Sequence, residues 1–251
     1  MLIAQFSDLH LTVPGTSLAD GIDSTAGLRR CIDHLAALPK RPDLLLLSGD
    51  LAEHGAAAEY AALRGLLRTL DLPWLALPGN HDRREPLRAA LGRGGSGTLH
   101  AEHDLGGLRL LLLDTLVEGK DGGDLDEVQL DWLAQRLGIE PARPALIVLH
   151  HPPVASGSAE MDRIALAPHA TRRLGDIVAA CPAVQALLCG HLHRMLMTRW
   201  HGAALVVAPS TAFQARLRFG AGRFEPDLRE PPAYLLHHWT GRCLMTHHVT
   251  A

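Results

Sequence analysis

Five times in this 251-residue chain a short apolar run breaks off at residues whose side chains bind metal ions. "LIAQF" (Leu2–Phe6) runs into Ser7-Asp8-Leu9-His10. "LLLL" (Leu44–Leu47) runs into Ser48-Gly49-Asp50. "WLAL" (Trp74–Leu77) and Pro78 lead to Gly79-Asn80-His81-Asp82. "ALIVL" (Ala145–Leu149) ends at His150-His151. "VQALL" (Val184–Leu188) leads through Cys189 to Gly190-His191-Leu192-His193. Runs this short and this apolar read as strands buried on both faces, and Leu108–Leu113 makes a sixth. Between them lie helical patterns over Thr25–Leu38, Glu59–Leu70, Leu125–Leu137 and Pro168–Ala180. Leu28, Ile32 and Leu35 share one face of the first, while Val128, Trp132 and Leu133 mark the third. Strand–helix alternation of this kind predicts an α/β fold with much parallel pairing.

From about Met195 the pattern changes to strands and loops, "MLMTRW", "ALVVA", "AYLLHHW" and "RCLMTHHV". No low-complexity linker precedes them. They are expected to continue the same domain as antiparallel strands, so that residues 1–251 form one domain with a strand-rich extension over about 195–251. Two Gly/Pro-punctuated loops, around 153–173 and 213–232, are long enough to suggest function.

Composition narrows the partners. A formal net charge of −3 gives no basic field for a nucleic-acid polymer or an anionic membrane. No apolar run approaches the length of a membrane span, and the N-terminus lacks a basic signal region, so the expected location is the cytoplasm. The four cysteines, Cys31, Cys181, Cys189 and Cys243, are scattered without a CxxC pair and are expected to be free thiols.

In an open α/β sheet, ligands gather at the carboxyl ends of the strands, which is where all five clusters fall. In Asp8-x-His10 and His191-x-His193, alternate residues would point to the same side if the backbone stays extended. Gly49, Gly79 and Gly190 would let the chain turn tightly there. The donor set of carboxylate, imidazole and amide, with no thiolate, suits Mn²⁺, Fe²⁺, Co²⁺ or Zn²⁺. It is too large for one open site, and two metal ions sharing a bridging carboxylate would use it fully. Taken singly, each cluster has a plainer reading. Gly49-Asp50 is a common turn pair, His10 is an ordinary exposed or core histidine, and Asp82 caps the next helix or orients a neighbour.

Read together, "SDLH", "SGD", "PGNHD", "LHHPP" and "CGHLH" resemble the signature of the calcineurin-like metallophosphoesterases, over residues 8 to 193 or about three quarters of the chain. "HHPPVASGSAEMD" and "PSTAFQ" are similar to the bacterial branch that includes cyclic-nucleotide and glycerophosphodiester phosphodiesterases. The resemblance implies a two-sheet β-sandwich flanked by helices in four layers. It implies two divalent or trivalent transition-metal ions (Mn, Fe, Co or Zn). Asp8, His10 and His193 would hold the first, Asn80, His150 and His191 the second, and Asp50 would bridge them. His81 would face the phosphate as a catalytic group beside Asn80 and Asp50, and His151 would support from behind.

The implied reaction is hydrolysis of a small phosphodiester, a cyclic nucleotide or a glycerophosphodiester, by a metal-activated hydroxide. The implied assembly is a homo-oligomer, a dimer or larger. A phosphomonoesterase is the nearest rival. Related phosphatases carry an arginine soon after Gly-Asp, whereas "GDLAEHG" has none here. A nuclease would want a basic groove, and a non-catalytic scaffold would have lost ligands that all stand in this chain. Arg163, Arg216 and Arg218 are candidates for substrate contact from the two long loops, with solvated surface arginines as the alternative. Neither loop shows the aromatic density of a base-stacking platform.

Overall fold

The computed structural model describes residues 1–251, the side chain of Asp20 excepted. Its strands are β1 (Leu2–Phe6), β2 (Leu44–Ser48), β3 (Trp74–Leu77), β4 (Ala101–Asp104), β5 (Arg109–Leu112), β6 (Ala145–Val148), β7 (Val184–Cys189), β8 (Leu196–Trp200), β9 (Ala203–Val207), β10 (Gln214–Ala215), β11 (Pro226–Asp227), β12 (Ala233–Trp239) and β13 (Leu244–Thr250). The helices are α1 (Ser24–Ala36), α2 (Ala57–Leu67), α3 (Arg84–Ala90), α4 (Glu127–Ile139), α5 (Ala159–Arg163) and α6 (Pro168–Ala179). One sheet has the order β13-β12-β1-β2-β3 and the other β4-β5-β6-β7-β9-β8, with β10 and β11 forming a separate ribbon.

The period of two along a strand explains why central strands such as β2 and β6 are apolar on both faces. Leu44 and Leu46 of β2 meet Leu110, Leu112, Leu146 and Leu188 of the facing sheet. The alternate residues Leu45 and Leu47 pack outward under Leu28, Ile32 and Leu35 of α1 and Leu63 and Leu67 of α2. On the other side, Leu111, Ile147 and Leu187 pack under Leu130, Leu133 and Leu137 of α4 and Leu174 and Ile177 of α6. The result is helix, sheet, sheet, helix: an α/β sandwich of four layers.

Helix ends follow their caps. Asp23 accepts from the Ala26 amide (2.9 Å) and Asp126 from the Gln129 amide (2.8 Å), so α4 begins two residues later than its apolar pattern does. The expectation that everything after Met195 pairs antiparallel is corrected at β9. The chain leaves β7 for the sheet edge, runs out along β8 and returns through a tight turn at His201-Gly202, where both residues have positive φ. The returning β9 slots between β7 and β8 and is therefore parallel to β7. β12 and β13 return to the first sheet, with β12 antiparallel to β1. Among the described residues, no helix is long and apolar enough to cross a membrane.

Candidate metal centre

The carboxyl ends of β1, β2 and β3 in one sheet and of β6 and β7 in the other open onto the same crevice. Backbone hydrogen bonds stitch these ends together. The Asp8 amide donates to Gly49 O (3.0 Å), the Leu9 and His10 amides donate to Asp50 O (2.8 and 2.9 Å), and the Gly190 amide donates to His150 O (3.0 Å). The side chains continue the pattern: the His191 amide donates to both oxygens of Asp8 (3.0 and 3.1 Å), and the His81 amide donates to Asp50 Oδ1 (2.9 Å).

The backbone at the site is not extended, which corrects the expectation for Asp8-x-His10 and His191-x-His193. Asp8, His10, Asp50, His191 and His193 all have φ between 45° and 75°, five of the seven non-glycine residues with positive φ among the described residues. Left-handed turns, rather than strand alternation, aim these side chains inward. The glycines divide the work. Gly49 has φ 99°, and a Cβ there would lie 2.3 Å from His150 Nδ1. Gly190 needs no special φ; it is small because a Cβ would lie 2.1 Å from Ser7 Oγ, where β7 meets β1. Gly79 likewise leaves room for Asp50.

Two adjoining sets of donors result. In the first, His193 donates from Nδ1 to Phe213 O (3.1 Å), so its Nε2 carries a lone pair. His10 Nδ1 lies 2.7 Å from Glu53 Oε2, which likewise turns His10 Nε2 inward. The two Nε2 atoms are 2.9 Å apart. Asp8 Oδ1 lies 3.5 Å from one and Asp50 Oδ2 3.6 Å from the other. In the second set, His150 donates from Nδ1 to Ser48 O (2.9 Å), and its Nε2 faces Asp50 Oδ2 and Asn80 Oδ1, each at 3.3 Å. His191 Nδ1 stands 3.1 Å from the same Asn80 oxygen, and its Nε2 is buried without a protein partner.

Acceptors crowded together in this way repel one another unless a cation lies among them. The donor chemistry and geometry therefore fit a dinuclear metal centre, with Asp50 between the two sets. In the protein alone, protons take up part of that demand. Burial opposes charging His150, but Asp50 outweighs it and raises the imidazole to about 9. Burial also opposes charge on His10, yet Glu53, Asp50 and Asp8 hold its pKa above the ordinary value. Asp50 is buried, yet His150 and His10 hold its carboxyl well below the usual range. Burial pushes Asp8 up to about 6. Burial and the neighbouring imidazoles hold His191 and His193 well below the usual histidine pKa, as neutral rings.

His81 stands beside the donors without joining either set. Its Nδ1 donates to Glu53 O (3.0 Å), which leaves Nε2 for the cavity, and its ring is about one third exposed. His151 has atoms within reach of His150 and His191, and the three alone could form a metal-binding group. Both its nitrogens are engaged, however, Nδ1 with Thr115 Oγ1 (2.8 Å) and Nε2 with Asp121 O (3.0 Å). The geometry therefore favours His150 over His151 as the donor. Asp82 does not cap α3. It accepts from the amides of Gly79, Leu51 and Ala52 (2.9, 3.1 and 3.2 Å) and from Tyr60 Oη (2.9 Å), pinning the loop after β3 to the loop after β2.

The residue that sequence reasoning missed is Glu53. It braces His10 through its carboxylate and His81 through its carbonyl, and its Oε2 is also 3.4 Å from His81 Nδ1. Its only sequence signal is its place three residues after Asp50.

His10, Asp50, Asn80, His191 and His193 form the floor of a cavity of about 420 Å³. Both long loops reach it, through Glu160, Met161 and Ile164 and through Phe213, Phe224 and Pro226. The three candidate arginines do not line it. Arg216 and Arg218 pair with Glu225 (2.9 and 3.2 Å) and line a separate cavity, and Arg163 points into solvent beside Glu160.

Residues 1–195 match the profile of the calcineurin-like phosphoesterases. The chain is 31% identical over 254 residues to the probable glycerophosphodiester phosphodiesterase GpdQ of Arcobacter nitrofigilis, covering all of this chain and 93% of that one. It is 34% identical over 214 residues to the 3',5'-cyclic adenosine monophosphate phosphodiesterase CpdA of Pseudomonas aeruginosa, covering 85% of this chain and 77% of that one. Its fold is that of a dimetal phosphatase from Danio rerio, with a TM-score of 0.72 at 14% identity and 98% of each chain covered. The chain belongs to the calcineurin-like phosphoesterase family.

Proposed function

We propose that this member of the calcineurin-like phosphoesterases is a metal-dependent phosphodiesterase that hydrolyses small phosphodiesters, cyclic nucleotides or glycerophosphodiesters. The observation that carries the reading is the pair of donor sets whose lone pairs converge on either side of Asp50. Asp8, His10 and His193 would hold the first ion, Asn80, His150 and His191 the second, and Asp50 would be shared between the two sets. The donors are nitrogen and oxygen only, so Mn, Fe, Co or Zn are the candidates. When bound, two such ions offset the charge of the phosphate and lower the pKa of a coordinated water.

The protein's own groups do the rest. Asn80 contributes a neutral oxygen, which adds no negative charge against the incoming anion. His81, fixed through Nδ1 by Glu53 O, presents Nε2 to the substrate, where it steadies the developing charge or gives a proton to the departing alkoxide. Glu53 is a positioning residue that keeps His10 and His81 in register. The names of the two relatives support a diester substrate. The lining of the cavity supports it too: among the described residues lining it, none is Lys or Arg, so a second phosphate charge would find no lysine or arginine to pair with. The four free thiols are in keeping with a cytoplasmic location, and the family resemblance carries the further proposal of a homo-oligomer.

The test is to strip the protein of metal, add Mn²⁺, and compare bis(p-nitrophenyl) phosphate with p-nitrophenyl phosphate. Metal-dependent turnover favouring the diester is expected. Turnover favouring the monoester would move the assignment to a phosphomonoesterase.

A further inference from the structure

Above the donor floor the cavity wall changes character. Leu18 and Ile22 flank a 3-10 turn at Ala19–Gly21, Met161 and Ile164 come from α5 and the residue after it, and Phe213 and Phe224 come from the loop between β9 and β12. These segments are far apart in sequence and meet as an apolar collar. Its aromatic corner is well defined. The Phe213 ring lies 4.4 Å from the His193 ring, and Phe224 stands 6.1 Å from Phe213 with the planes at 73°.

The corner is held from behind. The carboxylate of Glu160 accepts from the Phe224 amide. The Ala159 amide donates to Gly220 O (3.0 Å) and the Gly220 amide to Gly157 O (2.7 Å), fastening α5 to the loop that carries Phe224. A wall set in advance costs little ordering when a ligand arrives. The polar groups beside it, Glu53 and Glu160, are already engaged, by His10 and by the Phe224 amide. A polyol would find few free partners there, whereas an apolar or aromatic ring would shed water against six apolar side chains.

We infer that this collar reads the organic group of the substrate, and that the enzyme selects phosphodiesters whose ester group is apolar or aromatic over those carrying a small polyol. Phe213, Phe224 and Ile22 are specificity-determining residues. The inference rests on the phosphodiesterase reading and refines it.

A test must hold leaving-group reactivity constant. With the Mn²⁺-loaded full chain, p-nitrophenyl benzyl phosphate and p-nitrophenyl 2,3-dihydroxypropyl phosphate release the same p-nitrophenolate and differ only in the group that stays. The benzyl ester is expected to show kcat/KM about 10- to 100-fold higher, mostly through KM. Phe224→Ala should bring the ratio to within a few-fold of one. Ile22→Asn, on a different segment, should lower it too, and decides the matter if Phe224→Ala does not fold. A ratio near one in the unmodified enzyme overturns the inference while leaving the phosphodiesterase reading intact. So does a large ratio that neither variant alters. Metal-dependent hydrolysis of neither ester overturns both.

Discussion

The floor and the wall of one cavity are built on different principles. The floor is made of side chains at strand ends, buried almost completely apart from Asn80, five of them on backbones turned into the left-handed region, and tied together by main-chain hydrogen bonds. The wall comes from segments outside the two sheets, and its side chains are apolar, half-buried except for Met161, and joined by a few loop contacts. A metal donor must be placed to within a fraction of an ångström, whereas an apolar surface must only be present and roughly shaped. On the proposed reading the chemistry is entrusted to the sheets and the choice of substrate to the loops, an arrangement in which one can vary without disturbing the other.

That division can be broken from the floor upward. Asp50 stands between the donor sets, so Asp50→Ala should lower the bound metal below two ions per chain and reduce turnover by about 10⁴-fold or more. Elemental analysis alongside a diester assay reads both, and an active, fully metallated variant would remove the bridging role. His81→Ala removes a ring that packs edge-on against His10 (centroids 4.6 Å apart) but takes no donor atom from either set. It should keep the metal complement but lose about 10²–10⁴-fold in kcat, and near-normal turnover would leave His81 without a catalytic part.

Glu53→Gln sits on the border between floor and wall. It keeps the shape but weakens the charge-assisted contact at His10 Nδ1, which should cost about 10- to 100-fold in metal affinity. A metal titration showing unchanged affinity would make Glu53 a mere neighbour. The smallest effect is one of pH. With His150 as the proposed donor, metal binding needs its nitrogen free of a proton, and Asp50 raises that imidazole to about 9. At pH 7 a proton must therefore leave as metal enters, so apparent affinity should rise from pH 7 towards pH 9 and level off above it. A flat titration across that range would mean that protons do not compete at the floor.

The floor was legible in the sequence for a chemical reason. Few residue types can bind a hard or borderline metal, and their recurrence after five apolar runs left a pattern that no turn preference explains. β3 was legible to the residue because Trp74–Leu77 is an unbroken apolar run before Pro78. The wall was not legible, because Phe213 and Phe224 are eleven residues apart along the chain with nothing but loop between them, apart from the two residues of β10. Glu53 escaped notice because it works through the far side of His10, and a glutamate in "GDLAEHG" looks like any polar loop residue. β4 escaped for the opposite reason to β3: Ala101–Asp104 has almost no apolar character and is a strand only because β5 offers it an edge to pair with.

The left-handed turns at Asp8, His10, Asp50, His191 and His193 have a consequence for how such a protein changes over generations. Each would be relieved by glycine, to the gain of about 1 kcal/mol in the folded state. Glycine would relax these backbones but leave the His191 and His81 amides without the Asp8 and Asp50 carboxylates that accept from them. A chain that still carries aspartate and histidine in such backbones has been kept for what it does as well as for how well it lasts.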